Sequence, residues 1–140
     1  MNIAILVFIG GAIGAIFREL LMISVPKMAD QFPLDIFIAN ISASFLLGIV
    51  AGLLTSKRIG QSMNAFFATG VMGGLSTFSS FVYGAVEIMK SPQYLWTSIV
   101  YLILSVVVGF IVIYFGYILG SKQCKNNPSH SVWFQNKRLL

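Results

Sequence analysis

Charge is what this chain has least of. Only 9% of its 140 residues are Asp, Glu, Lys or Arg, against roughly 25% in an average soluble domain. The acids are Glu19, Asp30, Asp35 and Glu87, all near predicted helix ends. A proton-coupled pump needs an ionisable group near the bilayer midplane, and none is offered. The one histidine, His130, sits in the polar tail, which removes a Ser-His-Asp set and an HExxH helix; no phosphate loop is present either. The one cysteine, Cys124, rules out an intrachain disulfide and a CxxC site. Beside the last helix it reads as a reduced thiol, with S-acylation as the alternative. The N-terminus lacks the basic start of a signal peptide. An enzyme is therefore not expected.

What the chain does have is length without charge. The few charged residues separate four apolar stretches: Met1 to Phe17, Ile36 to Ser56, Ile59 to Val86 and Ser91 to Ser121. A membrane-spanning helix takes about 20 apolar residues. The expected architecture is an all-α membrane protein with four transmembrane helices, roughly 2–24, 34–55, 62–88 and 95–120. A four-helix transmembrane domain over 1–121 is followed by a polar basic tail over 122–140. The net charge of +5 does not point to nucleic acid, because of where it lies. Lys57, Arg58, Lys122, Lys125, Lys137 and Arg138 share the side of loop 2 and the C-terminus, while Lys27 and Lys90 fall in loops 1 and 3. By the positive-inside rule both termini are expected in the cytoplasm. Trp133 and Phe134, with basic neighbours, could rest the tail on membrane lipid.

The third apolar stretch holds the unusual text GVMGGLSTFSSF, from Gly70 to Phe81. Gly-Gly at membrane depth invites the helix to break, and freed backbone groups survive there only if buried in protein, facing a wet cavity or meeting an ion. The sequence thus points to a permeation path or an ion site. Any Cβ at Gly73 is expected to crowd that break. Around it stand Ser76, Thr77, Ser79 and Ser80, and the phenylalanines Phe78 and Phe81. A ring edge is electropositive and can face an anion without trapping it; helix packing is the plainer reading of the same rings. Asn40 is either interhelical glue or a donor to an anion. Tyr101 and Ser105 share a helix face, as a hydroxyl track or as hydroxyls bonded back to the preceding turn. Arg18 either snorkels to the interface or draws anions to a vestibule. Small residues stud the first helix (Gly10, Gly11, Gly14), the second (Gly48, Gly52) and the fourth (Gly109, Gly116, Gly120), allowing close helix approach.

These motifs resemble the Fluc (CrcB) family of small fluoride channels. The text that carries the resemblance is GGAIGAIFR in the first helix, NxxxSFLLG from Asn40, GxxGGLSTFSSF from Gly70, and YxxxSxxxG from Tyr101. The resemblance implies an antiparallel dual-topology dimer with two pores, each built from both subunits, in a prokaryotic inner membrane. It implies passive fluoride export that relieves fluoride toxicity. Asn40, Phe78 and Phe81 match the family's pore residues, and Tyr101 and Ser105 match polar positions on the fourth helix. The main-chain carbonyls of Gly73 and Ser76 match a structural sodium site. Asp35 and Ala43 stand where the family has glycines, Ser76 replaces a threonine, and Val82 and Gly84 replace more polar text.

Physical reading of the residues does not choose fluoride over chloride. It leaves as rivals a proton-coupled or other small-anion transporter and a noncatalytic assembly protein. Six basic residues on one side against two on the other also leave open a homodimer and a heterodimer with a homologous chain of opposite bias.

Overall fold

The computed structural model describes residues 2–25 and 32–122. The expectations placed on Lys27, Asp30, Cys124, Lys125, His130, Trp133, Phe134, Lys137 and Arg138 lie outside the described residues.

The described residues are helical, with four segments long and apolar enough to cross a membrane. Helix α1 is Ile3–Ser24, started by Asn2, whose Oδ1 accepts from the Ala4 N–H at 3.2 Å. Helix α2 is Leu34–Thr55. Pro33 precedes it, and Asp35 in its first turn suits the positive helix end. The third segment, Gln61–Met89, is composite. Helix α3 covers residues 61–75 and includes a π-helical stretch, Ala65–Val71. Ser76 and Thr77 then take extended backbone angles (φ −96°, ψ 137° and φ −135°, ψ 126°), and α4 resumes as Phe78–Met89. A single 3-10 turn, Pro92–Tyr94, leads into α5, Leu95–Lys122.

Gly73 and Gly74 lie in the helical turn Met72–Leu75. The extended residues come just after them, so the reading that the Gly-Gly pair itself breaks the helix is corrected. None of the glycines has a positive φ. Gly74 serves close approach instead: a Cβ there would strike the Gly11 carbonyl and the Ala15 N–H of α1. Gly14 answers it from α1, where a Cβ would strike the Val71 carbonyl. A second stripe, Gly48 and Gly52 against Gly116 and Gly120, brings α2 equally close to α5. Backbone-to-backbone packing of this kind is how helices associate where lipid offers no hydrophobic drive.

Gly73 behaves differently. A Cβ built there meets nothing within 4 Å, so the expected crowding is absent within this chain. Gly14→Ala is therefore expected to destabilise the fold by about 1–3 kcal/mol, the usual cost of overpacking. Gly73→Ala should cost nothing in the single chain, since Ala is the better helix former by about 1 kcal/mol. Thermal unfolding in detergent checks the pair. A loss confined to the assembled state on Gly73→Ala would report a surface supplied by a second chain.

Two buried clusters hold the helices. Ala43, Val71, Met72 and Leu75 join α2 to α3. Ala85, Ile88 and Tyr101 join α4 to α5, with Phe32, Phe37 and Phe81 packed against them. The fully buried Ser98 fastens the second junction, its hydroxyl donating to the Ala85 carbonyl at 3.0 Å.

Candidate functional site: a broken helix beside an aromatic ladder

The interruption at Ser76–Thr77 organises the site. In an uninterrupted helix the Thr77 N–H would bond the Gly73 carbonyl, and the Ser80 N–H would bond the Ser76 carbonyl. Both donors are diverted to side chains. The Thr77 N–H donates to Asn40 Oδ1 at 3.3 Å, and the Ser80 N–H to Thr77 Oγ1 at 3.4 Å. Gly73 and Ser76 are thereby among the carbonyls at the interruption that lose their intrahelical donors. Both residues line one small cavity of about 140 Å³, with Ala43, Ser44 and Leu47 across from them. Thr77 is committed as the N-cap of α4, and its hydroxyl also donates to Ser80 Oγ. Ser79 is exposed on the first turn of α4.

The Asn40 bond also fixes the orientation of that side chain. A backbone N–H requires an acceptor, so Oδ1 faces the break and the two amide N–H donors remain on the other side. Glue and donor, alternatives in the sequence, are the two ends of one amide.

The aromatic groups form a ladder. Phe78 and Phe81 have ring centroids 6.0 Å apart, and Phe81 and Tyr101 5.4 Å apart. Tyr101 meets Phe32 edge-on at 5.4 Å with an interplanar angle of 85°. The ladder runs from exposure to burial: Phe78 is 79% exposed and Tyr101 0%. Phe78, on the surface beside a backbone break, does little packing work within this chain. At the buried end, the Tyr101 hydroxyl and Ser105 Oγ are shielded and have no hydrogen-bond partner among the described residues. The back-bonded alternative for Ser105 is thus not adopted. An unsatisfied buried hydroxyl costs about 1–3 kcal/mol, so the pair offers unspent donors at helical spacing.

Arg18 is half-buried in the second half of α1 and makes no ion pair among the described residues. An ion pair joins Lys90 Nζ to Glu87 Oε2 at 2.7 Å. That hydrogen bond raises the Lys90 ammonium above the ordinary lysine range. No group of His, Cys, Asp and Glu able to hold a metal occurs among the described residues. Any cation here would depend on backbone oxygen. Phe32 was missed in the sequence; its place immediately before Pro33 at the mouth of α2 was the available signal.

Comparison with known proteins places the whole chain among relatives. The profile of the family described as "CrcB-like protein, Camphor Resistance (CrcB)" matches residues 5–117. The chain is 52% identical over 127 residues to "Fluoride-specific ion channel FluC 3" of Yersinia pseudotuberculosis, covering 91% of this chain and 95% of that one. It is 38% identical over 125 residues to "Fluoride-specific ion channel FluC" of Ignicoccus hospitalis, covering 89% of this chain and all of that one. A Brucella abortus relative, "Fluoride-specific ion channel FluC 1", is 43% identical over 123 residues, and there the chain spans only 46% of the relative's length. With the profile spanning all four apolar helices and two relatives covered almost end to end, this chain belongs to the CrcB family.

Proposed function

We propose that this chain is a passive, fluoride-selective channel of the cell membrane that lets fluoride leave the cytoplasm. The observation that carries this reading is the convergence, beside one interrupted helix, of the Asn40 amide and the aromatic rings of Phe78 and Phe81, with no acidic or basic side chain among them. Donors and ring edges attract an anion weakly enough to release it, which conduction requires. Asn40 supplies N–H groups. Phe78 and Phe81 supply ring edges, Ser79 and Ser80 hydroxyls at the head of α4, and Tyr101 and Ser105 the unspent hydroxyls. Thr77 holds the break open as a cap. Arg18 draws anions toward a vestibule. Similarity to relatives named as fluoride-specific channels supports fluoride as the ion.

One chain leaves Phe78 79% exposed beside the interruption, which favours an assembly of two. An antiparallel homodimer is the form we favour, since the chain carries Asn40, both phenylalanines and the full helix-3 text; a heterodimer with a homologous chain is the alternative. Labelling of Cys124 from both sides of intact cells is expected for dual insertion. Strictly cytoplasmic labelling, with no flux from the chain alone, would call for a second subunit.

The donor set fits sodium. Gly73 and Ser76 offer neutral carbonyl oxygens freed of their helical partners, the chemistry that suits a hard monovalent cation. Bound there, sodium would supply a fixed positive charge that holds the interruption in place. Exchange of sodium for a large organic cation is expected to weaken assembly or flux, and full activity after rigorous exchange would argue against the site.

Passive conduction is tested in proteoliposomes. Purified protein is expected to dissipate a fluoride gradient with no ATP and no proton gradient. Flux that requires a proton gradient would favour the coupled-transporter reading instead.

A further inference from the structure

Every acid among the described residues lies toward one end of the bundle. Glu19 is in the last turns of α1, Asp35 in the first turn of α2 and Glu87 near the end of α4, all on the side of the first and third loops. The opposite end, where α2 and α5 stop and α3 starts, carries Lys57, Arg58 and Lys122 and no described acid. All three cations are exposed. Lys57 and Lys122 make no ion pair among the described residues. The fold brings their helix ends together: a Cβ at Gly52 would strike the Tyr117 carbonyl and the Ser121 N–H, so the last turns of α2 and α5 lie backbone to backbone.

Lys57 is also the one residue with a positive φ (54°) among the described residues. It closes α2. Its N–H donates to the Leu54 carbonyl and the Arg58 N–H to the Leu53 carbonyl, each at 2.9 Å, the paired bonds of a Schellman ending. Glycine is the usual residue at that position, because left-handed backbone crowds a Cβ. The turn alone does not account for a lysine there, and the strained backbone points to a use for its side chain. Toward the bilayer the surface beside these charges is aromatic and apolar, with Tyr114 63%, Met63 48% and Tyr117 38% exposed. Tyrosines suit the headgroup level of a membrane, and clustered cations beside them suit anionic lipid.

We propose that Lys57, Arg58 and Lys122 form a binding site for the phosphate of an anionic phospholipid, whose chains lie along α5 beside Tyr114 and Tyr117. A zwitterionic lipid carries its own ammonium beside the phosphate and gains less from the three cations. The site is separate from the residues to which conduction is assigned, and its test needs no flux.

The test follows thermal unfolding of the full chain in detergent micelles as phosphatidylglycerol or phosphatidylcholine is titrated in, for the parent, K57Q, K57G and K90Q. In the parent, phosphatidylglycerol should raise the melting temperature at lower concentration than phosphatidylcholine does. K57Q and K57G should each need about fivefold more phosphatidylglycerol for half of the effect, the loss that goes with one cation near an anionic headgroup. K90Q, altered at the opposite end, should titrate like the parent. At about 1 M salt, where screening falls to ~3 Å, the two lipids should converge. K57G separates charge from backbone. In phosphatidylcholine it should melt about 2–4 °C above the parent, because glycine relieves the strained turn, whereas K57Q keeps the strain and should not. Equal titration of the parent by the two lipids would overturn the proposal. So would K57Q titrating like the parent, or K90Q losing as much as K57Q. A K57G that melts no higher than the parent in phosphatidylcholine would overturn the argument from strain and with it the assignment to Lys57. Inorganic phosphate that stabilises the parent as well as phosphatidylglycerol does would make this a site for free anions and overturn the lipid.

Discussion

Asn40→Asp should remove most of the fluoride flux and leave the chain folded. The substitution is nearly isosteric, and an Asp oxygen can still accept from the Thr77 N–H as Asn40 Oδ1 does. The interruption of the third segment therefore keeps its support. What is lost is the pair of amide donors, replaced by a negative charge. Two like charges 4 Å apart repel by about 4 kcal/mol at an effective dielectric of about 20. Appearing in the barrier, that is a loss on the order of a thousandfold. Fluoride efflux and size-exclusion profiles on the same preparations check it. Normal flux at neutral pH would return Asn40 to a purely structural role.

Phe81→Ile is expected to lower flux about tenfold or more, from roughly 1.4 kcal/mol of lost ring-edge interaction. Isoleucine stays apolar but has no quadrupole. Phe81 packs between Phe78 and Tyr101, so some stability should go with it. Phe78 separates the two roles. At 79% exposure it has almost no packing to lose in this chain, so Phe78→Ile should leave single-chain stability unchanged and still slow fluoride. If flux in both variants follows folded protein and nothing more, the rings are packing residues.

Much of this was legible because the bilayer imposes simple rules. Charges at Arg18, Asp35, Lys57 and Lys90 mark off apolar stretches, and α2 occupies 34–55 as read. α1 and α5 likewise fall within a residue or two of the expected limits. The site was less legible, because it depends on where backbone donors go. Gly73 and Gly74 read as the breaking point, yet both stay helical, and Gly74 is small because Gly11 of α1 lies against it. The extended pair is Ser76–Thr77, where the Thr77 hydroxyl caps the following helix. Thr77 and Ser80 three residues apart carry that capping signal, which the adjacent glycines obscured. The π-helical Ala65–Val71 left no trace in the pattern of apolar residues. Nor could local sequence show that Asn40 reaches across to Thr77, 37 positions away.

The measurement that bears most directly on the account is fluoride and chloride efflux from the same proteoliposomes, with the membrane potential clamped by a potassium ionophore and no ATP or proton gradient. The residues at the break provide donors and ring edges without a fixed charge, and the relatives are named for fluoride. Fast fluoride efflux with chloride far slower is the expected result. Equal efflux of the two anions would contradict the selectivity at the centre of this account, and no efflux of either would contradict the channel itself.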